Sequence, residues 1–220
     1  ALGVRQSRLE EVPSLALGTS PVTLKEMVTA YSTIANGGQY FDSFLVTSVD
    51  DRHGKVLERF KAKPPELAIE RATADVLLDV MRGVIDRGTG AGIRSRYGIA
   101  ADVAGKTGTT SDNTDGWFIL MHSQLVAGAW VGFNDNRVTM QDSWGQGARA
   151  ALPIVGETFL KAFAQKVIDA QLRFAAPNLA PPPPPPPEPE IIQVPLGIPG
   201  TPIPAAGGTA MPEPAPLYGN

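Results

Sequence analysis

Of the 21 prolines in this 220-residue chain, 16 fall in residues 177–220. Proline holds φ at about −65° and donates no backbone hydrogen bond, so a segment this rich in it forms neither a helix interior nor a sheet interior. The uninterrupted run Pro181–Pro187 predicts a stiff extended rod of roughly 20 Å, at about 3.1 Å per residue. The same stretch has no Lys, Arg or Asp and carries only Glu188, Glu190 and Glu213 as charges. It has nothing with which to build a core and is expected to be a disordered tail. The readings for it are a spacer, a ligand for a proline-recognising partner, or a tail with no function of its own. The fold must therefore reside in residues 1–176.

With the three tail carboxylates set aside, 19 basic side chains balance 19 acidic ones (22 − 3). A neutral body argues against non-specific nucleic-acid binding, which depends on neutralising phosphates. The absence of Cys excludes disulfides, a thiol nucleophile and zinc–thiolate sites. There is no apolar run of the roughly 18 residues that a membrane span needs. The chain opens Ala1-Leu2-Gly3, with no Met and no charged leader. It is therefore expected to be a processed product or a piece of something longer.

Thr23-Leu24-Lys25-Glu26 is a capping box. It predicts a helix with Leu24, Met27, Val28, Tyr31, Ile34 and Ala35 on one face, stopped by Asn36-Gly37-Gly38. Phe44–Val49 and Lys55–Phe60 predict short strands joined by the turn Asp51-Arg52-His53-Gly54. Glu70–Arg87 predicts a second helix, with Val76, Leu77, Val80, Met81, Val84 and Ile85 inward, ending in a Gly-rich loop over 87–92. Three strands follow in quick succession: Asp102–Thr110, Gly116–His122 and Gln124–Phe133. Their short connections require antiparallel pairing. Trp117 and Trp130 are expected in the core of adjacent strands. After a loop at 134–149, a helix is predicted from Pro153 to Ala176, with Ile154, Val155, Phe159, Phe163, Val167 and Ile168 on one side. The fold class is α+β, an antiparallel sheet flanked by helices.

The chemistry concentrates in Gly105-Lys106-Thr107-Gly108-Thr109-Thr110. A phosphate-binding loop would need a glycine at position 100, which is Ala100, and a helix opening at the lysine. Gly108 and the β-branched threonines argue against that helix. The better reading is Lys-Thr-Gly on a strand that lines an acyl-transfer site. Lys106 would supply fixed positive charge for a carboxylate and a developing oxyanion. Thr107 and Thr109 would offer hydroxyls, and Gly108 would let a substrate backbone lie against the strand. The Thr109 amide would be an oxyanion donor. The bland alternative is an exposed lysine beside a turn.

The surrounding segments favour the first reading. Leu17-Gly18-Thr19-Ser20-Pro21-Val22-Thr23, Glu26-Met27-Val28-Thr29-Ala30-Tyr31 and Ile34-Ala35-Asn36-Gly37-Gly38 come first. Arg87-Gly88-Thr89-Gly90, Ala104 through Thr110, Asp115-Gly116-Trp117-Phe118 and Trp130-Val131-Gly132-Phe133 follow in order. Over about residues 12–165 the chain resembles the C-terminal part of the class A, bifunctional penicillin-binding proteins, the 1A family in particular. The resemblance implies a peptidoglycan D,D-transpeptidase. A serine is acylated by a stem peptide with release of D-Ala, and the acyl group passes to an amine on a neighbouring stem. β-Lactams acylate the same serine. It also implies a place in the cell envelope, on the periplasmic side of the inner membrane, with the anchor upstream. No metal or organic cofactor is called for. Lys106 becomes the expected catalytic residue, with Thr89, Thr107, Gly108, Thr109 and Thr110 as substrate-binding residues.

The family's nucleophile and base sit in S-x-x-K, yet none of the ten serines has Lys three residues later. Ser111-Asp112-Asn113 spells the family's S-x-N, but it adjoins Lys-Thr-Gly, whereas two motifs on opposite walls cannot be neighbours on one strand. It reads as a turn, with Asp115 fixing its exit. The chain is thus expected to be a C-terminal fragment without nucleophile and inactive alone. A serine β-lactamase or carboxypeptidase relative, or a non-catalytic binding module, are the alternatives. His53 and His122 have no partners in view that would make either catalytic.

Overall fold

The computed structural model describes residues 2–175, with 136 and 141 excepted. The expected tail at 177–220 and the boundary before it lie outside the described residues. A 3-10 turn at Pro13–Leu17 precedes α1 (Leu24–Ala35). Four short strands follow, β1 (Gln39–Tyr40), β2 (Ser48–Asp50), β3 (Val56–Arg59) and β4 (Glu66–Leu67). Next come α2 (Arg71–Arg87), α3 (Gly92–Ser95) and the strands β5 (Ala104–Thr109), β6 (Asp115–His122) and β7 (Leu125–Gly132). A 3-10 turn at Asp142–Gly145, α4 (Gly147–Ala150) and α5 (Leu152–Ala164) complete the order.

β5, β6 and β7 form an antiparallel meander with β5 at one edge. Its register sets Lys106 opposite Ile119, Thr107 opposite Phe118 and Gly108 opposite Trp117. Trp117 in turn lies opposite Trp130. Because side chains alternate along a strand, Ala104, Met121 and Val126 share one face with Lys106, Gly108, Trp117 and Trp130. On that face Ala104 and Met121 pack with Ile34 of α1, Leu78 of α2 and Phe174. α1 comes so close at Gly128 that a Cβ there would sit 2.7 Å from Val28 Cγ2. The opposite face sends Phe118, Leu120 and Ala129 into a larger core with Ile93, Leu152, Val155 and Phe159. α2 straddles the β5 side of the sheet, with Leu78 in the first cluster and Ile85 in the second. The sheet therefore carries the larger core, with Ile85 of α2 and residues of α3 and α5, on one face, and is packed against α1 and α2 at one end of the other.

The α+β class, the meander and the helices at 24–35 and 71–87 agree with the sequence reading. The Thr23–Glu26 capping box is formed, and Gly37 and Gly38 end α1 at φ 65° and 86°. Several expectations need correction. α5 stops at Ala164 rather than Ala176, because Lys166 takes φ 56° and the chain folds back to bring Phe174 onto the sheet. Val167 and Ile154 are accordingly exposed. In α2 the buried positions are Ala74, Asp75, Leu78 and Ile85, while Val76 and Val80 face solvent. The first hairpin strand is Ser48–Asp50, leaving Phe44, Leu45 and Val46 exposed. β1, β4, α3 and α4 are too short to carry a periodic signal and went unpredicted.

Candidate active site

The site is built on the edge of β5. Thr110 N donates to Asp115 O at 3.2 Å, so residues 110 and 115 form a hydrogen-bonded pair. Such pairs alternate along an antiparallel ladder, which makes 108–117 and 106–119 paired in the same way. The main-chain groups of Thr107 and Thr109 then point away from β6, off the free edge. Lys106 Nζ donates to Thr107 O at 2.6 Å, which places its ammonium at that edge. Lys106 lies mid-strand, so the phosphate-loop geometry is not present.

The threonines divide by face. Thr107 is buried, and its Oγ1 lies 2.6 Å from Thr89 Oγ1 in the loop after α2. Thr109 Oγ1 accepts from Gly147 N at 3.1 Å. Thr110 Oγ1 accepts from the amides of Thr114 (2.9 Å) and Asp115 (3.0 Å). That hydroxyl organises the 111–114 turn, and the Ser111-Asp112-Asn113 segment is part of this turn.

Lys106, Thr107, Gly108, Thr109 and Thr110 all line a cleft of about 920 Å³. Thr89 is not in its lining and reaches it only through the Thr107 hydroxyl. The floor is the uncovered part of the sheet face, with Trp117, Ile119 and Trp130. The expectation that both tryptophans are core residues is corrected: Trp130 is 37% exposed, because α1 covers this face only as far as Gly128. Their rings stand 6.4 Å apart between centroids, and Trp130 Nε1 donates to Asp115 Oδ1 at 2.7 Å. Asp115 thus fixes an aromatic side chain as well as the turn.

The opposite wall was not foreseen. Val4, Leu9, Leu15, Leu17, Met27 and Tyr31 supply it. Its anchor is Glu26, which is 5% exposed. Glu26 Oε1 accepts from three consecutive amides, Arg5 (3.0 Å), Gln6 (2.7 Å) and Ser7 (2.9 Å). Oε2 accepts from Ser7 Oγ (2.5 Å) and Thr23 Oγ1 (2.8 Å). The Ser7 hydroxyl, then the Ser7 and Gln6 amides, hold this carboxyl far below the ordinary carboxylate range. In the sequence Glu26 stands in the capping box and at the head of the segment Glu26–Tyr31, and neither points to residues 5–7. Its bonds to residues 5–7 span 19 to 21 positions, beyond any local pattern.

On the far side of the sheet, His122 is buried. Its Nδ1 accepts from Gln124 N at 3.3 Å, so Nε2 carries the proton and donates to Leu172 O at 3.2 Å. Phe163 meets the ring edge-on. Its role is structural. Among the described residues no cluster of His, Asp or Glu is placed to hold a metal ion, and no helix is long and apolar enough to cross a membrane.

Penicillin-binding protein 1A of Neisseria meningitidis serogroup A is 31% identical over 156 residues, covering 69% of this chain and 19% of that protein. The chain thus spans about a fifth of the length of such relatives. The solved structure of penicillin-binding protein 1A from Haemophilus influenzae superposes with a TM-score of 0.70 at 22% identity, over 80% of this chain and 31% of that one. Penicillin-binding protein A from M. tuberculosis, solved as an imipenem acyl-enzyme complex, shares the fold at TM-score 0.53 and 19% identity, over 70% and 36%. Residues 5–138, which hold the Lys106 edge and most of the wall facing it, match the family described as Penicillin binding protein transpeptidase domain, and it is to this family that the chain belongs.

Proposed function

We propose that this chain supplies the Lys-Thr-Gly wall of the acyl-transfer site of a serine-type peptidoglycan D,D-transpeptidase, which β-lactams acylate as substrate mimics. The observation that carries the reading is the free edge of β5, with the Lys106 ammonium beside it and a deep cleft in front. A stem peptide would align along residues 107–109 as an added strand, using the outward main-chain groups. Gly108 removes the Cβ that would keep it away. Lys106 would hold its terminal carboxylate, and Thr109 N would donate to the oxyanion as the serine adds to the carbonyl. Collapse of that intermediate releases D-Ala, and an amine from a neighbouring stem then takes the acyl group from the serine.

The attacking serine is not in this chain, which has no S-x-x-K. The apolar half of the cleft, lined by Val4, Leu9, Leu15, Leu17, Met27 and Tyr31, suits an amphipathic segment bearing that motif and supplied by the rest of the protein. Residues 1–176 are then the C-terminal part of the transpeptidase domain. The setting is the cell envelope, at the periplasmic side of the inner membrane. The proline-rich segment 177–220 is a spacer or a ligand for a proline-recognising partner.

Labelled penicillin tests the reading. The full-length protein should form a covalent adduct, and this chain alone should form none. An adduct on any of the ten serines here, or an unlabelled full-length protein, overturns it.

A further inference from the structure

We infer that Glu26 is a positioning residue for the attacking serine: its carboxylate ties residues 5–7 to Thr23 and so fixes the apolar wall against which the nucleophile-bearing segment packs. This rests on the transpeptidase reading above. Besides Met27 and Tyr31 of α1, two stretches of chain make that wall, one over residues 4–10 and one over residues 15–24. Among the described residues few bonds join them. Glu10 N donates to Ser20 Oγ at 3.0 Å. Glu26 makes the others, gathering the amides of Arg5, Gln6 and Ser7 and the Ser7 hydroxyl on one side and Thr23 Oγ1 on the other.

The arrangement exceeds what a helix cap needs. A capping box uses one side-chain bond back to the N-cap residue, and here that bond is the weak one, Thr23 N at 3.3 Å. The Thr23 hydroxyl adds a local bond at 2.8 Å, and four more bonds, at 2.5 to 3.0 Å, go to residues 19 to 21 positions earlier. Among the described residues no cation pairs with the carboxylate, and the Arg5 guanidinium pairs with Glu66 instead. The buried negative charge is satisfied by main-chain amides and hydroxyls alone. Charge-assisted bonds of this kind are the short, strong ones. Val4 and Leu9, which flank the tethered triplet, face the cleft. Losing the tether would let them shift, and a misplacement of about 1 Å at a reacting group can cost up to about a hundredfold in rate.

The test is pre-steady-state acylation of the full-length protein by a labelled β-lactam. The limiting rate constant is read separately from the half-saturating concentration. Glu26→Ala should lower the limiting constant about tenfold. Glu26→Gln keeps the acceptor for the amides but loses the one for the hydroxyls, and should lower it about threefold. Half-saturation should stay within about twofold for both, because the ligand binds at the β5 edge. Hydrogen exchange should speed at the amides of residues 5–7 in Glu26→Ala and stay unchanged in β6. Phe159→Leu, which loosens the core behind the sheet, should lower the melting temperature without moving the rate constant.

Three results overturn the inference. A lowered labelling amplitude with a wild-type rate constant makes Glu26 a structural cap only. A raised half-saturation with an unchanged limiting constant makes the wall a ligand contact. Unchanged exchange at residues 5–7 removes the tether. A wild-type protein that is never acylated defeats the transpeptidase reading, and this one with it.

Discussion

Lys106 is the only cationic side chain that lines the cleft among the described residues, so its charge can be removed without rearranging a network. In the full-length protein, Lys106→Ala should slow β-lactam acylation by about 10²–10³, the usual effect of losing one preorganised electrostatic contact. Lys106→Arg keeps the charge but alters its shape and reach, and should recover only part. If Lys106→Ala stays folded by its melt and acylates at the wild-type rate, this edge is not the site. A second residue-scale prediction concerns His122. Burial pushes its imidazole below the ordinary value of 6.5. The Leu172 carbonyl, Asp102 and Asp169 pull the other way without prevailing. The unfolded chain therefore binds the proton first as pH falls through about 6.5. The contribution of neutral His122 to stability is complete above that pH and shrinks below it. Melts of wild type and His122→Asn should diverge at pH 8 and approach one another toward pH 5. Asp102 acts in a separate, more acidic window. Burial raises its carboxyl, but Arg82 and the Phe174 amide outweigh that and hold it below 3.8.

Among the elements, α4 decides how the back of the β5 edge is held. It begins at Gly147, whose Cα lies so close to the sheet that a Cβ would meet Trp117 O at 2.1 Å and Gly108 O at 2.4 Å. Both obstacles are main chain and cannot rotate aside. Gly147→Ala should therefore force α4 off β5 and β6, destabilising the fold by about 1–3 kcal/mol as an overpacked contact, and should break the Gly147 N to Thr109 Oγ1 bond. A thermal melt measures the first effect. An unchanged midpoint would mean that α4 is not seated on the strands. α1 offers a milder test. Thr23→Ala removes the hydroxyl that accepts from Glu26 N at 3.2 Å, and loss of such a cap should lower stability by about 1 kcal/mol in a denaturant titration.

At the scale of the whole molecule, the prediction concerns residues 177–220, which proline content sets apart from residues 1–176. Deleting 177–220 from the full-length protein should move the thermal midpoint by less than about 2 °C, because the segment has little apolar surface to bury. A drop of several degrees would show that it docks. The sheet itself was legible from end to end. Asp102–Thr110, Gly116–His122 and Gln124–Phe133 each fell within two residues of the observed strands, since short turns and β-branched and aromatic runs are local signals. Lys106 through Thr110 could be singled out for the same reason, as a contiguous motif on one strand. The sequence alone also determined that no S-x-x-K is available and that the last 44 residues (177–220) are set apart by proline. It could not say which face each helix buries, because Val80 and Leu78 of α2 are equally apolar, and only the neighbours on the sheet choose between them. Nor could it show that Trp117 and Trp130 line an open floor. That depends on where α1 stops covering the sheet, at Gly128. The wall held by Glu26 was invisible for a related reason. One carboxylate there gathers amides about twenty positions away, and a contact of that span is fixed by packing in three dimensions, leaving no periodicity along the chain to read.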